Sequence, residues 1–316
     1  MMNEFEPHRD TLLWIGPSRY RFLPHPMFPN EDEVFVLEGG QAHIYQLQDM
    51  ESGNRCALKV SKPSYRGEQL AQVATALIPY INLPGFSVGR RLCLTKASHP
   101  QLIAAYPGLE FALLMPWIQG RTWAGLMLDQ QASQRHTPQQ AYQLALMTAQ
   151  VLASLEAHQL AHTDIAGSNV MLAAHAKVEL LDIEGLWMPG IQRPRWRNYG
   201  SPGYQHRRLS GNGQWQPEGD RFAGAILLAE MLVWCNPQIR MLVPQGSETL
   251  FRPDELQKGP SLKWQSVRQA LWSMYPPALE LFDQAWQSDK LKQCPPLSAW
   301  AKCLALPQAQ PTQTSR

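Results

Sequence analysis

The chain is 316 residues long, enough for one large domain or two lobes at about 100–200 residues per domain. Charged residues make up 17 % of it, against about 25 % in an ordinary globular protein, and apolar residues 44 %, so there is material for a core and global disorder is excluded. A formal net charge of only +2 excludes a strongly basic nucleic-acid coat, and no nucleic-acid partner is expected.

Residues 1–30 are rich in Pro, Arg and aromatics, show no clean period and read as an N-terminal extension. They lack the basic stretch followed by an apolar run that a signal peptide needs. From Glu33 to Val60 the texture changes to short β-type runs: Val34–Leu37, Ala42–Leu47 and Cys56–Val60. Gly39-Gly40 and Ser52-Gly53-Asn54 separate them as turns, so an antiparallel meander is expected. Residues 67–80 then place Leu70, Val73, Ala74 and Leu77 on one helical face. Two further apolar runs follow, Arg91–Leu94 and Phe111–Ile118.

After Gly120 the pattern turns helical. Thr137-Pro138 reads as an N-cap with proline at the first helical position, and Leu144, Met147, Val151 and Leu155 continue at helical spacing. A polar loop over 162–169 leads into a short β pair, Val170–Leu172 and Lys177–Leu181, and then a long Pro/Gly/Arg loop over 185–218. An apolar helix from Asp220 to about Trp234 follows, then more helices to about residue 305 and a polar tail over 306–316 expected to be disordered. The longest apolar stretch, Ala223–Trp234, is interrupted by Glu230 and falls short of the about 20 residues of a membrane span. Five cysteines are scattered without C-x-x-C or zinc-finger spacing, which argues against a disulfide framework. A soluble, cytoplasmic protein with no membrane partner is expected. A β-rich first part and a helical second part read as α+β in two lobes.

Three segments carry chemistry together: Ala57-Leu58-Lys59, the run His162-Thr163-Asp164-Ile165-Ala166-Gly167-Ser168-Asn169, and Leu181-Asp182-Ile183-Glu184-Gly185. In this order and spacing they resemble the V-A-I-K strand, the H-R-D-x-x-x-x-N catalytic loop and the D-F-G turn of the protein kinase family, over roughly residues 31–305. Gly200-Ser201-Pro202-Gly203-Tyr204 resembles the family's G-T-P-G-Y substrate-docking segment, and Asp220 its buried aspartate that anchors the catalytic loop. The resemblance implies a bilobal kinase-like fold. A small β-rich N-lobe with its hinge would span 31–118, and a larger helical C-lobe 119–305.

It also implies roles. Phosphoryl transfer needs charge neutralisation and in-line positioning more than covalent help. Asp182 and Asn169 supply hard oxygen ligands that suit Mg²⁺. Asp164 would accept the proton of the attacking hydroxyl, and Lys59 would hold the α/β-phosphates of ATP once an acid orients it. Glu68 is the only acid between residues 52 and 109 and starts the first helix, so it is the expected partner of Lys59. Leu37–Tyr45 resembles a degraded glycine loop that keeps Gly39 and Gly40, with Ala42 at the third glycine. Ile44 and Ala57 above and Met171 below would sandwich the adenine, and Met115-Pro116-Trp117-Ile118 looks like the hinge, with Ile118 as donor.

Several positions depart from the family pattern. Ala166 stands where Ser/Thr kinases carry a lysine, a loss worth roughly 10²–10³ in rate. Thr163 replaces the arginine of H-R-D, and residues 185–200 contain no Ser or Thr. Arg208 and Cys294 replace both members of a family ion pair, so a differently braced C-lobe is expected. Glu184 occupies the D-F-G glycine, with Gly185 directly after it to serve a shifted turn. Arg193, Arg195 and Arg197 offer either a solvated basic loop or a dock for an acidic protein partner or substrate, beside Gly200–Tyr204. The expected activity is a Ser/Thr protein kinase using ATP and Mg²⁺. A nucleotide-binding pseudokinase or scaffold and a small-molecule kinase are the alternatives.

Overall fold

The computed structural model describes residues 5–29, 31–173, 177–195, 200–209 and 213–306. Arg197, Tyr199 and the tail from residue 307 lie outside these. The chain divides into two compact units. The first comprises Met1–Gln119, Glu179–Glu184 and Gly190–Trp196, and the second Gly120–Val178, Gly185–Pro189 and Arg197–Arg316. The architecture is mixed α/β, with an antiparallel sheet in the N-terminal part and helices in the C-terminal part.

The first unit opens on a hairpin, Leu12–Ile15 (β1) and Ser18–Phe22 (β2), within the stretch expected to be an irregular extension. Leu13, Ile15, Tyr20 and Phe22 alternate inward, while Leu12, Trp14 and Arg21 stay exposed. This is period-2 patterning. The strands Val36–Glu38 (β3), Ala42–Asp49 (β4), Arg55–Ser61 (β5), Leu92–Cys93 (β6) and Leu113–Pro116 (β7) complete the unit's sheet. Its order is β1-β2-β4-β5-β7-β6, with β3 also paired to β4, and the pairs are antiparallel.

Strand β5 is central, and its two faces differ. Leu58 and Val60 enter the main core with Phe22, Tyr45, Leu47 and Leu114. Lys59 therefore points to the other face. Its cross-strand neighbours are Ile44 and Leu113. Leu113 packs there with Cys93 and with Leu70 and Ala74 of the helix Glu68–Ala76 (α1). All four residues expected on the apolar helical face are buried. The helix stops earlier than its pattern because Pro79 follows, and a 3₁₀ turn over Ile78–Tyr80 takes its place. A short helix, Pro100–Ala105 (α2), precedes β7.

The second unit begins with Gly120–Thr122 (β8), then Trp123–Leu128 (α3), Gln130–Arg135 (α4) and Pro138–Ala157 (α5). Thr137 caps α5 in a reciprocal capping box with Gln140, as the Thr-Pro pair predicts. Strands Val170–Ala173 (β9) and Lys177–Leu180 (β10) form a three-stranded sheet with β8, in the order β10-β9-β8. The helix Asp220–Val233 (α6) is buried on nearly every face, as its unbroken apolar run demands. It packs against α5. The helices Pro237–Met241 (α7), Pro253–Lys258 (α8), Leu262–Met274 (α9), Pro276–Gln287 (α10) and Leu297–Ala305 (α11) close the unit, with α11 against α5 and α6. Arg208 pairs with Asp289, and Cys294 is buried with its Sγ 3.1 Å from Ser288 Oγ. The two altered positions are thus satisfied separately. The five cysteines are free thiols. Among the described residues no helix is long and apolar enough to cross a membrane.

Candidate active site

In the first unit, Lys59 on β5 meets two acids that follow β10. Its Nζ lies 2.6 Å from Asp182 Oδ1 and 2.6 Å from Glu184 Oε2. Glu184 is shared: Arg91 Nη1 reaches its Oε1 at 2.5 Å. Arg91 also donates through Nε to the Val88 carbonyl at 2.8 Å and approaches the Met115 sulfur at 3.8 Å. The Lys59, Arg91 and Glu184 side chains are 6 %, 1 % and 9 % exposed, whereas Asp182 is 51 % exposed. Two cations and two carboxylates therefore balance, with one carboxylate facing solvent.

Local structure explains the placement. The segment after β10 is tied down upstream, where Glu179 accepts from Ser87 N at 2.9 Å and Ser87 Oγ at 2.8 Å. Leu180 N donates to Gly85 O at 2.8 Å. This stitches 179–184 to the stretch that carries Arg91. Asp182 then adopts φ 53, and a 3₁₀ turn over Ile183–Gly185 brings Glu184 back toward Lys59. Burial alone pulls the Lys59 ammonium down, but Glu184 and Asp182 more than offset it, and the group is held above its ordinary value. Burial likewise pushes Glu184 up, and Lys59 and Arg91 reverse this and hold it ionised.

The expected Lys59–Glu68 pair is not formed. Glu68 is exposed in the first turn of α1, where the helix dipole favours it, and Glu184 takes the place beside Lys59. Arg91 and Glu184 are the residues that sequence reasoning left without a role. The available signal was an acid two residues after Asp182, in a position where a glycine was expected.

The other first-unit candidates lie around the same strands. Gly39 and Gly40 form the exposed β3–β4 turn, closed by Gly39 N donating to Ala42 O at 2.9 Å. Ala57 is buried opposite Met115, and Ile44 is half-buried. Trp117 N donates to Arg55 O at 3.1 Å, and Ile118 follows half-buried. Arg193 is half-buried and Arg195 exposed.

The second unit holds Asp164 and Asn169 in one braced loop. Asp220, at the start of α6, accepts from His162 N at 2.6 Å and Thr163 N at 2.7 Å. Thr163 adopts φ 67 and donates through Oγ1 to Gly185 O at 2.8 Å. Asp164 N donates to His162 Nδ1 at 3.3 Å. Asn169 Nδ2 donates to the Asp164 carbonyl at 2.8 Å, which leaves its amide oxygen as the acceptor end. Ser201 Oγ donates to Asp164 Oδ1 at 2.8 Å, so the Gly200–Tyr204 segment meets this loop. Gly203 in that segment has φ 88, and a Cβ there would sit 2.7 Å from the Phe251 carbonyl, so only glycine fits. Ala166 is buried and offers no charge. Met171 lies on β9 opposite Thr122.

Beneath the segment, Glu230 of α6 is fully buried. It accepts from Trp123 Nε1 at 2.6 Å, Tyr204 OH at 2.7 Å and Leu250 N at 2.5 Å. Burial pushes its carboxyl up, these hydrogen bonds only partly pull it back, and it lies at about 7.

Among the described residues, no three His, Cys, Asp or Glu side chains gather as a ready-made metal cage. A divalent cation of the Mg²⁺ type does not require one, since it keeps waters and takes phosphate oxygens alongside one or two protein ligands. Asp182 in the first unit and the Asn169 amide oxygen in the second are each donors of that type. No protein-family model matches this chain, and no curated protein matches it.

Proposed function

We propose that the chain is a protein kinase that uses ATP and Mg²⁺ to phosphorylate a Ser or Thr hydroxyl. The observation that carries the reading is the 2.6 Å contact between Lys59 and Asp182, 123 residues apart in sequence. A lysine and a carboxylate so joined are the pair needed to hold phosphate oxygens and a divalent cation. ATP with Mg²⁺, when bound, supplies the transferable phosphoryl group and the divalent charge. Lys59 binds the α/β-phosphates. Asp182 and Asn169 each offer a hard oxygen that would suit the cation. Asp164 orients the incoming hydroxyl and takes its proton, and Ser201, which donates to Asp164 Oδ1, fixes the rotamer of that carboxylate. Gly39 and Gly40 put no side chain at two positions of the β3–β4 turn, which lets backbone N–H groups there approach phosphate. Gly200–Tyr204, rigidified through Tyr204 and Glu230, docks the substrate chain.

A second reading, a nucleotide-binding scaffold, is favoured by Ala166, whose position offers no cation to the transferring phosphate. The deciding experiment incubates the purified full chain with γ-labelled ATP and Mg²⁺, with and without generic protein substrates. Label on the chain or substrate supports the kinase. Mg²⁺-dependent nucleotide binding without any transfer supports the scaffold.

A further inference from the structure

We propose that Glu184, braced by Arg91, is the positioning residue for Lys59, so that the phosphate-binding lysine is anchored without help from α1. This rests on the nucleotide-binding reading above and adds a regulatory consequence to it: moving α1 would not switch the site on or off.

The geometry carries the assignment. Glu184 uses both carboxylate oxygens, one on Lys59 and one on Arg91, and all three side chains are buried. Arg91 is itself pinned to the Val88 carbonyl. The backbone segment bearing Glu184 is stitched to the Arg91 segment through Glu179, Ser87, Leu180 and Gly85. Glu68, in contrast, is exposed at the start of α1.

Charge explains why two cations are needed. Asp182 is half exposed and free to turn to a divalent cation, whereas Glu184 is not. Once Asp182 is so engaged, Lys59 and Glu184 alone would cancel. Arg91 adds the charge that leaves the trio net positive toward phosphate. Being almost fully buried, Arg91 acts through Glu184 and Lys59 rather than on the ligand.

The test measures binding of a fluorescent ATP analogue with Mg²⁺, and KM for ATP beside kcat, on the full chain. Glu184→Gln weakens nucleotide binding by about ten- to a hundredfold, the worth of one charged hydrogen bond, and raises KM more than it lowers kcat. Glu184→Asp recovers part of the loss, and Glu68→Gln leaves binding unchanged. If Glu184→Gln fails to fold because Arg91 is orphaned, the double variant Arg91→Met/Glu184→Gln removes the orphan and shows the same weak binding. A folded double variant that binds like the wild type overturns the proposal, as does Glu68→Gln weakening binding as much as Glu184→Gln. A wild-type chain that binds no nucleotide overturns the kinase reading instead. The anchoring is then read from denaturation alone, in double-mutant cycles built on Lys59→Met. Coupling of Lys59 to Glu184 with none to Glu68 supports it, and additivity between Lys59 and Glu184 overturns it.

Discussion

At the residue scale, Asp182 sits at φ 53, a left-handed conformation that costs most residues about 1–2 kcal/mol and that, after Gly, Asp and Asn tolerate best. Asp182→Asn therefore keeps the backbone and removes only the charge. Lys59 retains Glu184 in that variant, so the fold is not the casualty. The expected outcome is loss of Mg²⁺-ATP turnover and weaker Mg²⁺-dependent nucleotide binding, with a denaturation midpoint near that of the wild type. Undiminished turnover would remove Asp182 from the site. Glu230 gives a second expectation, in stability. Its folded carboxyl lies at about 7 against an ordinary 4.5. Between those values the folded chain keeps a proton that the unfolded chain releases. Glu230 thus favours the fold fully only below the lower value, and that contribution disappears as pH rises to 7, on the order of 3 kcal/mol in all. Urea denaturation across pH 4.5–7 should show this slope, and Glu230→Gln should flatten it even if the missing acceptor for Leu250 N lowers stability at every pH.

At the element scale, the loop 162–169 is shaped from α6. Asp220 is the acceptor for two successive buried N–H groups, so Asp220→Ala leaves both unsatisfied at about 1–3 kcal/mol each. Turnover should fall well before global stability fails, because the loop carrying Asp164 loosens first. Equal activity in a folded Asp220→Ala variant would contradict that order. This loop, the capped start of α5, the β9–β10 pair and α6 were all legible in the sequence, because each is written by contiguous residues: a Thr-Pro cap, a polar run, an apolar run. The hairpin β1–β2 was not. Its inward Leu13, Ile15, Tyr20 and Phe22 straddle Gly16-Pro17, and the surrounding Pro and Arg content hides a period only four or five residues long. Glu184 was visible but unexplained for a different reason. Its partner Arg91 is 93 residues away. Glu68 is the only acid between residues 52 and 109, and its place at the start of the first helix pointed to the wrong carboxylate.

At the scale of the whole molecule, control by a phosphate on the 185–200 loop is not expected. Such a phosphate brings about −1.5 to −2 charges and orders a loop only if cations receive it. Residues 185–200 contain no Ser or Thr, and Tyr199 is the only hydroxyl there. The position expected to supply the receiving cation is Thr163, which is buried and committed to the Gly185 carbonyl. Ser201, just beyond the loop, already donates to Asp164, and a phosphate there would set negative charge against that carboxylate. Phosphatase-treated protein, checked by mass, should therefore turn over at the same rate as an untreated sample. A large loss of rate on removing a phosphate from Tyr199 or Ser201 would reverse this conclusion. The remaining levers are partner binding at the arginine-rich stretch and the non-standard glycine loop, and the first can be tested directly. Replacing Arg193, Arg195 and Arg197 with Ala should lower the rate toward an acidic protein substrate while leaving ATP binding intact. If the rate is instead unaffected, those arginines are a solvated surface and control lies elsewhere in the chain.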